Sequence, residues 1–87
     1  MLFQPGQIVA TIGALSALSI EDIMKALSRH LSGDWGDLSA EDKRENDFSV
    51  KNGFRILSSY SSKKGVKFWI ITEADRSVTT VLLPEEY

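Results

Sequence analysis

The chain has no cysteine, a single histidine and only two prolines in 87 residues. Without cysteine there is no disulfide scaffold, iron–sulfur cluster, thiolate zinc site or cysteine nucleophile. One histidine excludes a metal site built on two or three imidazoles of one chain. There is no Gly-x-Gly-x-x-Gly and no Walker loop, so dinucleotide and nucleoside-triphosphate sites lack support. No Gly-x-Ser-x-Gly elbow accompanies the many serines, which argues against a serine hydrolase. Long apolar runs are missing as well. The longest, Phe68–Ile71 and Val81–Pro84, fall far short of the ~20 residues of a membrane helix. The segment Met1-Leu2-Phe3-Gln4-Pro5-Gly6-Gln7 has no basic region followed by an apolar stretch, so it does not read as a signal peptide. A cytoplasmic protein with no membrane contact is expected. Repeats, low-complexity tracts and linkers are absent, which leaves residues 1–87 as one domain.

What is present is ordinary for a small globular domain: 43% hydrophobic and 25% charged residues, with a net charge of −2. The charge is unevenly spread. Residues 33–52 hold six acids against three bases, net −3, while residues 1–32 are neutral and residues 53–87 are net +1. Pro5-Gly6 marks a turn, and Gln7–Thr11 reads as a short strand. Thr11 is placed to cap a short helix from Ile12 to Leu18. Ser19 caps the clearest helix, with Glu21 and Asp22 in its first turn and Arg29 and His30 in its last. Ile20, Ile23, Met24, Leu27 and Leu31 form one apolar stripe that predicts a core-facing side. A polar helix from Ser39 to about Asn52 is expected on the surface, with a narrow buried edge centred on Phe48. The last third alternates in the manner of strands: Phe54–Ser61 and Val66–Glu73 around the loop Ser62-Lys63-Lys64-Gly65, then Ser77–Leu83. Apolar side chains on both faces of these strands predict cover on both sides of the sheet. The expected fold is α+β in the order β-α-α-β-β-β, an antiparallel sheet of three to four strands packed with two helices. The first strand is expected at an edge, or beside the last strand.

Four groups of residues carry candidate chemistry. His30, Asp34, Asp37 and Glu41 cluster near the end of the main helix; they suit a divalent metal or an acid/base pair, or else helix-terminus electrostatics. Trp35, between Asp34 and Asp37, is either a plug at the core edge or a binding anchor. In the turn Glu73–Ser77, Asp75 can bond backbone amides and Arg76 can pair with Glu73; alternatively Arg76 clamps a carboxylate or phosphate. Lys63, Lys64 and Lys67 are the nearest thing to a basic face, and a dimer would pool their charge.

The stretches His30-Leu31-Ser32-Gly33-Asp34-Trp35-Gly36-Asp37 and Trp69-Ile70-Ile71-Thr72-Glu73-Ala74-Asp75-Arg76-Ser77 carry a resemblance, together with Phe3–Thr11 and Leu82–Tyr87. The chain resembles a family of small bacterial proteins of plasmids and integrated mobile elements, often labelled "plasmid-related protein" or "type I restriction endonuclease subunit M". Members often have proline where this chain has Ile12, a residue suited to a first helical position. The resemblance covers almost the whole chain and implies no activity, so it assigns no role to any residue. A methyltransferase needs a methyl-donor pocket and a glycine-rich turn that this chain lacks; the restriction label fits gene neighbourhood better than chemistry. The expectation is a non-enzymatic accessory protein of a mobile element, without cofactor or metal. It would bind another protein through Trp35, Asp34, Asp37 and Arg76. The alternatives are nucleic-acid binding through Lys63, Lys64 and Lys67, and a small enzyme or metal site at His30, Asp34 and Asp37.

Overall fold

The computed structural model describes residues 1–87, all in one α+β domain. Strand β1 (Gln7–Ala10) leads into helices α1 (Ile12–Ala17), α2 (Ile20–Leu31) and α3 (Ala40–Asn52). Strands β2 (Ile56–Ser61), β3 (Lys67–Thr72) and β4 (Val78–Leu82) follow, and a 3-10 turn spans Pro84–Glu86. The helix starts lie where the hydroxyls are. Thr11 Oγ1, Ser19 Oγ and Ser39 Oγ accept from the N–H groups of Ala14, Asp22 and Asp42, each at 3.1 Å. Gly53, at φ +73°, closes α3 in the left-handed region.

The sheet order is β1-β4-β3-β2. The last three strands are antiparallel, as expected, but β1 runs parallel to β4, so the sheet is mixed. Nothing local in the sequence marks this pairing. It follows from the long excursion between the two strands, because β1 feeds directly into α1, which packs back against β4. The first strand is thus both an edge strand and the neighbour of the last.

One face of the sheet carries Ile56, Ser58 and Tyr60 of β2, Phe68, Ile70 and Thr72 of β3, and Thr79 and Val81 of β4, all essentially inaccessible. Ala14, Leu18, Ile23, Ala26 and Leu27 of the α1–α2 region cover it. The apolar stripe expected on α2 is displaced by part of a turn. Ile23, Ala26, Leu27 and His30 face the sheet, whereas Ile20 and Met24 are 67% and 59% exposed. The buried arc includes a histidine because the facing strands present hydroxyls to it. On the opposite face Ile71 and Leu82 are buried, and Tyr87 meets the half-buried Trp69 edge-on at 5.7 Å between ring centroids.

A second cluster of Phe3, Trp35 and Ile56, joined by Leu31, Leu38 and Val50, closes the sheet near the ends of α2 and α3. There the loop Trp35-Gly36-Asp37 lies along the outer edge of β2. Ser59 N–H donates to the Trp35 carbonyl at 3.1 Å, and Asp37 N–H donates to the Ser59 carbonyl at 2.7 Å. Gly36 sits at φ +79° with the Ser59 carbonyl and the Tyr60 ring where a Cβ would go. Gly36→Ala should therefore lower stability by about 2 kcal/mol or more. Gly53→Ala, also at positive φ but in open space, should lower it by only about 1 kcal/mol. Urea denaturation of the two variants checks the order; equal losses would mean that the loop is not tightly seated on β2.

Candidate functional site

His30 is wholly buried, and both of its ring nitrogens are taken. Nδ1 lies 2.5 Å from Ser58 Oγ, and Nε2 lies 2.9 Å from Thr72 Oγ1. Thr72 Oγ1 is 2.7 Å from Thr79 Oγ1, which donates to the Pro5 carbonyl at 2.7 Å. A carbonyl accepts only, so the direction of the whole chain follows from its end. Thr79 gives its proton to Pro5, Thr72 to Thr79, and His30 Nε2–H to Thr72. Nδ1 is then the acceptor, and Ser58 donates to it. The imidazole is neutral with its proton on Nε2, flanked edge-on by Phe3 and Trp35 at 5.3 and 5.8 Å between ring centroids. Burial pushes its pKa from 6.5 down to about 4.

Asp34 and Asp37 do not meet His30. Asp34 forms a two-point ion pair with Arg29, at 2.7 and 3.1 Å, which holds the Asp34 carboxyl below its usual range. Arg29 in turn lies over the Tyr60 ring, and Tyr60 Oη donates to the Asp34 carbonyl at 2.8 Å. Asp37 accepts from Ser61 Oγ at 3.3 Å. No group of three or more His, Asp or Glu side chains is placed to hold a metal ion.

Trp35 is only 3% exposed, and its indole N–H donates to Asp47 of α3 at 3.0 Å. It fills the core edge and ties α3 to the loop; burial of the ring leaves no surface for direct contact with a partner. Arg76 takes the left-handed conformation, at φ 60°. Its guanidinium donates to the carbonyls of Phe54 (2.8 Å), Glu73 (3.1 Å), Ala74 (3.2 Å) and Ser49 (2.9 Å). It reaches the backbone of Glu73, not its carboxylate. Asp75 accepts from Ser77 N–H at 3.0 Å and closes the turn. Arg76 therefore joins the β3–β4 turn to the end of α3 and to the segment that enters β2.

Lys63 and Lys64 project from the β2–β3 loop; the clefts they line contain Glu21 and Asp22 of α2 together with Lys25 and Arg29, so acids and bases are mixed there. Lys67 is exposed at the start of β3.

The surface that stands out is on α3. This helix attaches to β2 through polar groups: Asn46 Nδ2 donates to the Leu57 carbonyl at 2.7 Å, and Leu57 N–H donates to Asn46 Oδ1 at 3.3 Å. Its buried residues are Asn46 and Ser49. Phe48, expected at the centre of a buried edge, is instead 58% exposed and stacks on Phe54, itself 54% exposed. The two rings lie 5.9 Å apart and are inclined by 10°. The residues three and four away from Phe48 are Arg44, Glu45, Lys51 and Asn52, so no apolar neighbour accompanies it inward. That spacing was the legible signal for an outward ring. Glu41, Glu45 and Phe48 recur at i, i+4 and i+7 and share one side of the helix. Asp42 and Glu45 line a cleft of about 320 Å³ with Asn46, Ser49, Arg55 and Leu57. No helix in the protein is long and apolar enough to cross a membrane.

Comparison of the chain with protein-family models, curated proteins and solved structures finds no match in any of the three.

The His30 chain makes a pH dependence. The unfolded chain titrates near 6.5 at this residue and the folded chain near 4. Between those values the unfolded state binds more protons, so stability is complete above 6.5 and declines as pH falls toward 4. The gap corresponds to about 3 kcal/mol. Urea denaturation at stepped pH should show this decline, and His30→Gln should flatten it over that interval. An equal slope in the variant would place the titration elsewhere.

Proposed function

We propose that this chain is a non-enzymatic accessory protein of a bacterial mobile element, working in the cytoplasm by binding another protein. The single observation that carries the binding is the open aromatic pair at the end of α3. A helix on a domain surface normally turns its apolar side chains inward. Val50 does so here beside the buried Asn46 and Ser49, whereas Phe48 turns outward and stacks in the open on Phe54, just past the helix. Paired exposed aromatics beside charged groups have the composition of a protein contact centre. The carboxylates of Glu41 and Glu45 on the same side favour a partner with an apolar pocket and a basic rim. The mobile-element assignment rests on the resemblance of the four sequence stretches alone.

The residues first singled out contribute by holding this surface in place. Arg76 fixes the backbone at Ser49 and Phe54, beside both rings. Trp35 anchors α3 through Asp47. Asp34 and Asp37 hold the loop that precedes the helix. The enzymatic alternative has little support, since His30 is sealed in the core and Asp34 and Asp37 do not meet it.

A photo-crosslinking residue at position 48 should capture a specific partner in producing cells. The double substitution Phe48→Ala with Phe54→Ala should weaken binding of that partner by about tenfold or more, the equivalent of ~1.4 kcal/mol, with the circular dichroism spectrum unchanged. Arg76→Ala should weaken it through displacement of Phe54. Unaltered affinity in the folded double variant would refute this surface.

A further inference from the structure

The two edges of the sheet are treated differently. On β2 the outward backbone groups of Leu57 and Ser59 are already paired, and only Ser61 at the end of the strand is left open. Asn46 bonds the N–H and the carbonyl of Leu57. The loop at Trp35 and Asp37 does the same for Ser59. On β1, Gln7 N–H donates to the Ser77 carbonyl and Thr11 N–H to the Val81 carbonyl. In a parallel ladder alternate residues bond the neighbour, so Gln7, Val9 and Thr11 face β4 while Ile8 and Ala10 face away. Neither Ile8 nor Ala10 has a hydrogen-bond partner on that side.

Free edges are usually guarded by a charge, a proline, a bulge or a covering segment. Within Gln7–Ala10 there is none. From Met1 to Ile20 the chain has no ionisable side chain, although a quarter of all its residues are charged. The same run exposes Ile8 (48%), Val9 (36%), Ile12 (84%) and Leu15 (58%). The carboxylate at the end of this strand, Glu86, is occupied by Thr11 Oγ1 at 2.6 Å and Leu83 N–H at 2.8 Å.

We infer that β1 pairs with β1 of a second copy of this chain, antiparallel about a twofold axis at Val9. In that register Ile8 of each copy faces Ala10 of the other and exchanges both backbone bonds with it. Every outward group of the strand is then satisfied. The strand itself carries no charge to repel its own copy or to select a charged peptide, and the nearest carboxylate, Glu86, sits at its Thr11 end rather than at Val9. The two four-stranded sheets become one continuous sheet, and a twofold contact of this kind is self-limiting. This surface is separate from the aromatic pair on α3, so the dimer would present that pair twice.

The absence of cysteine makes the test clean. Val9→Cys should give a covalent dimer under mild oxidation, because the two copies of residue 9 face each other across the axis; Lys64→Cys, in the β2–β3 loop away from β1, should form no covalent dimer under the same conditions. Light scattering of the unmodified protein at on the order of 100 µM should report twice the 9.7 kDa chain mass. Ile8→Pro removes an outward N–H and no bond to β4, so it should give a folded monomer. The Val9→Cys crosslink decides the matter should that variant fail to fold. A monomeric native protein would overturn the inference, as would absence of the Val9 crosslink or a dimer that persists in folded Ile8→Pro. The proposed α3 contact would stand in each case, since its readout is binding by the Phe48 and Phe54 variants.

Discussion

The buried chain from Ser58 through His30, Thr72 and Thr79 to Pro5 is the constraint on which most of the molecule depends. It joins α2, three strands and the N-terminal segment through side chains that are almost wholly inaccessible. Each bond contributes only about 1 kcal/mol net, but an unpaired member would cost about 1–3 kcal/mol. The chain is fully satisfied in one direction only, and that direction fixes the tautomer of His30. A single imidazole in a small protein invites a catalytic or metal-binding reading. Here its basicity is suppressed by burial and both nitrogens are engaged, so its work is architectural.

Two consequences follow for the surface. Pro5 is held against β4, which delivers the next residues as an edge strand with nothing on its outer side. Ser58 helps fix β2, and the other edge of β2 is closed by Asn46 and the Trp35 loop. The Trp35–Asp47 bond and the Arg76 contacts then hold α3 with its aromatic pair outward. The polar helix is thus rigidly placed although it buries little apolar surface. The net −3 of residues 33–52 is presented mainly from this helix and the loop before it, with Asp34 and Asp47 partly committed to internal partners.

Local signals in the sequence were reliable for the elements. The capping residues Thr11, Ser19 and Ser39 and the hairpin at Lys63 and Lys64 all lie where short-range rules place them. Burial was less legible, since it depends on what lies opposite. His30 replaces Met24 in the buried arc of α2 because Ser58 and Thr72 supply matching hydroxyls from distant strands. Phe48 faces out because Asn46 finds the backbone of Leu57; the sequence marks this only by the absence of an apolar residue three or four positions from Phe48. The parallel pairing of β1 with β4 is likewise a property of the whole chain. Among the candidate residues, Trp35 and Arg76 are each directed inward, Trp35 into the core edge and Arg76 onto backbone carbonyls. The exposed ring at position 54 left no clear mark in the sequence.

Nitrogen-15 chemical shifts of the His30 ring test this arrangement most directly. At pH 7 the structure requires a neutral imidazole with a directly bonded proton on Nε2 and none on Nδ1, unchanged as the solution is acidified to about pH 5. A proton on Nδ1, or an imidazolium at neutral pH, would contradict the directed chain and the buried architecture built on it.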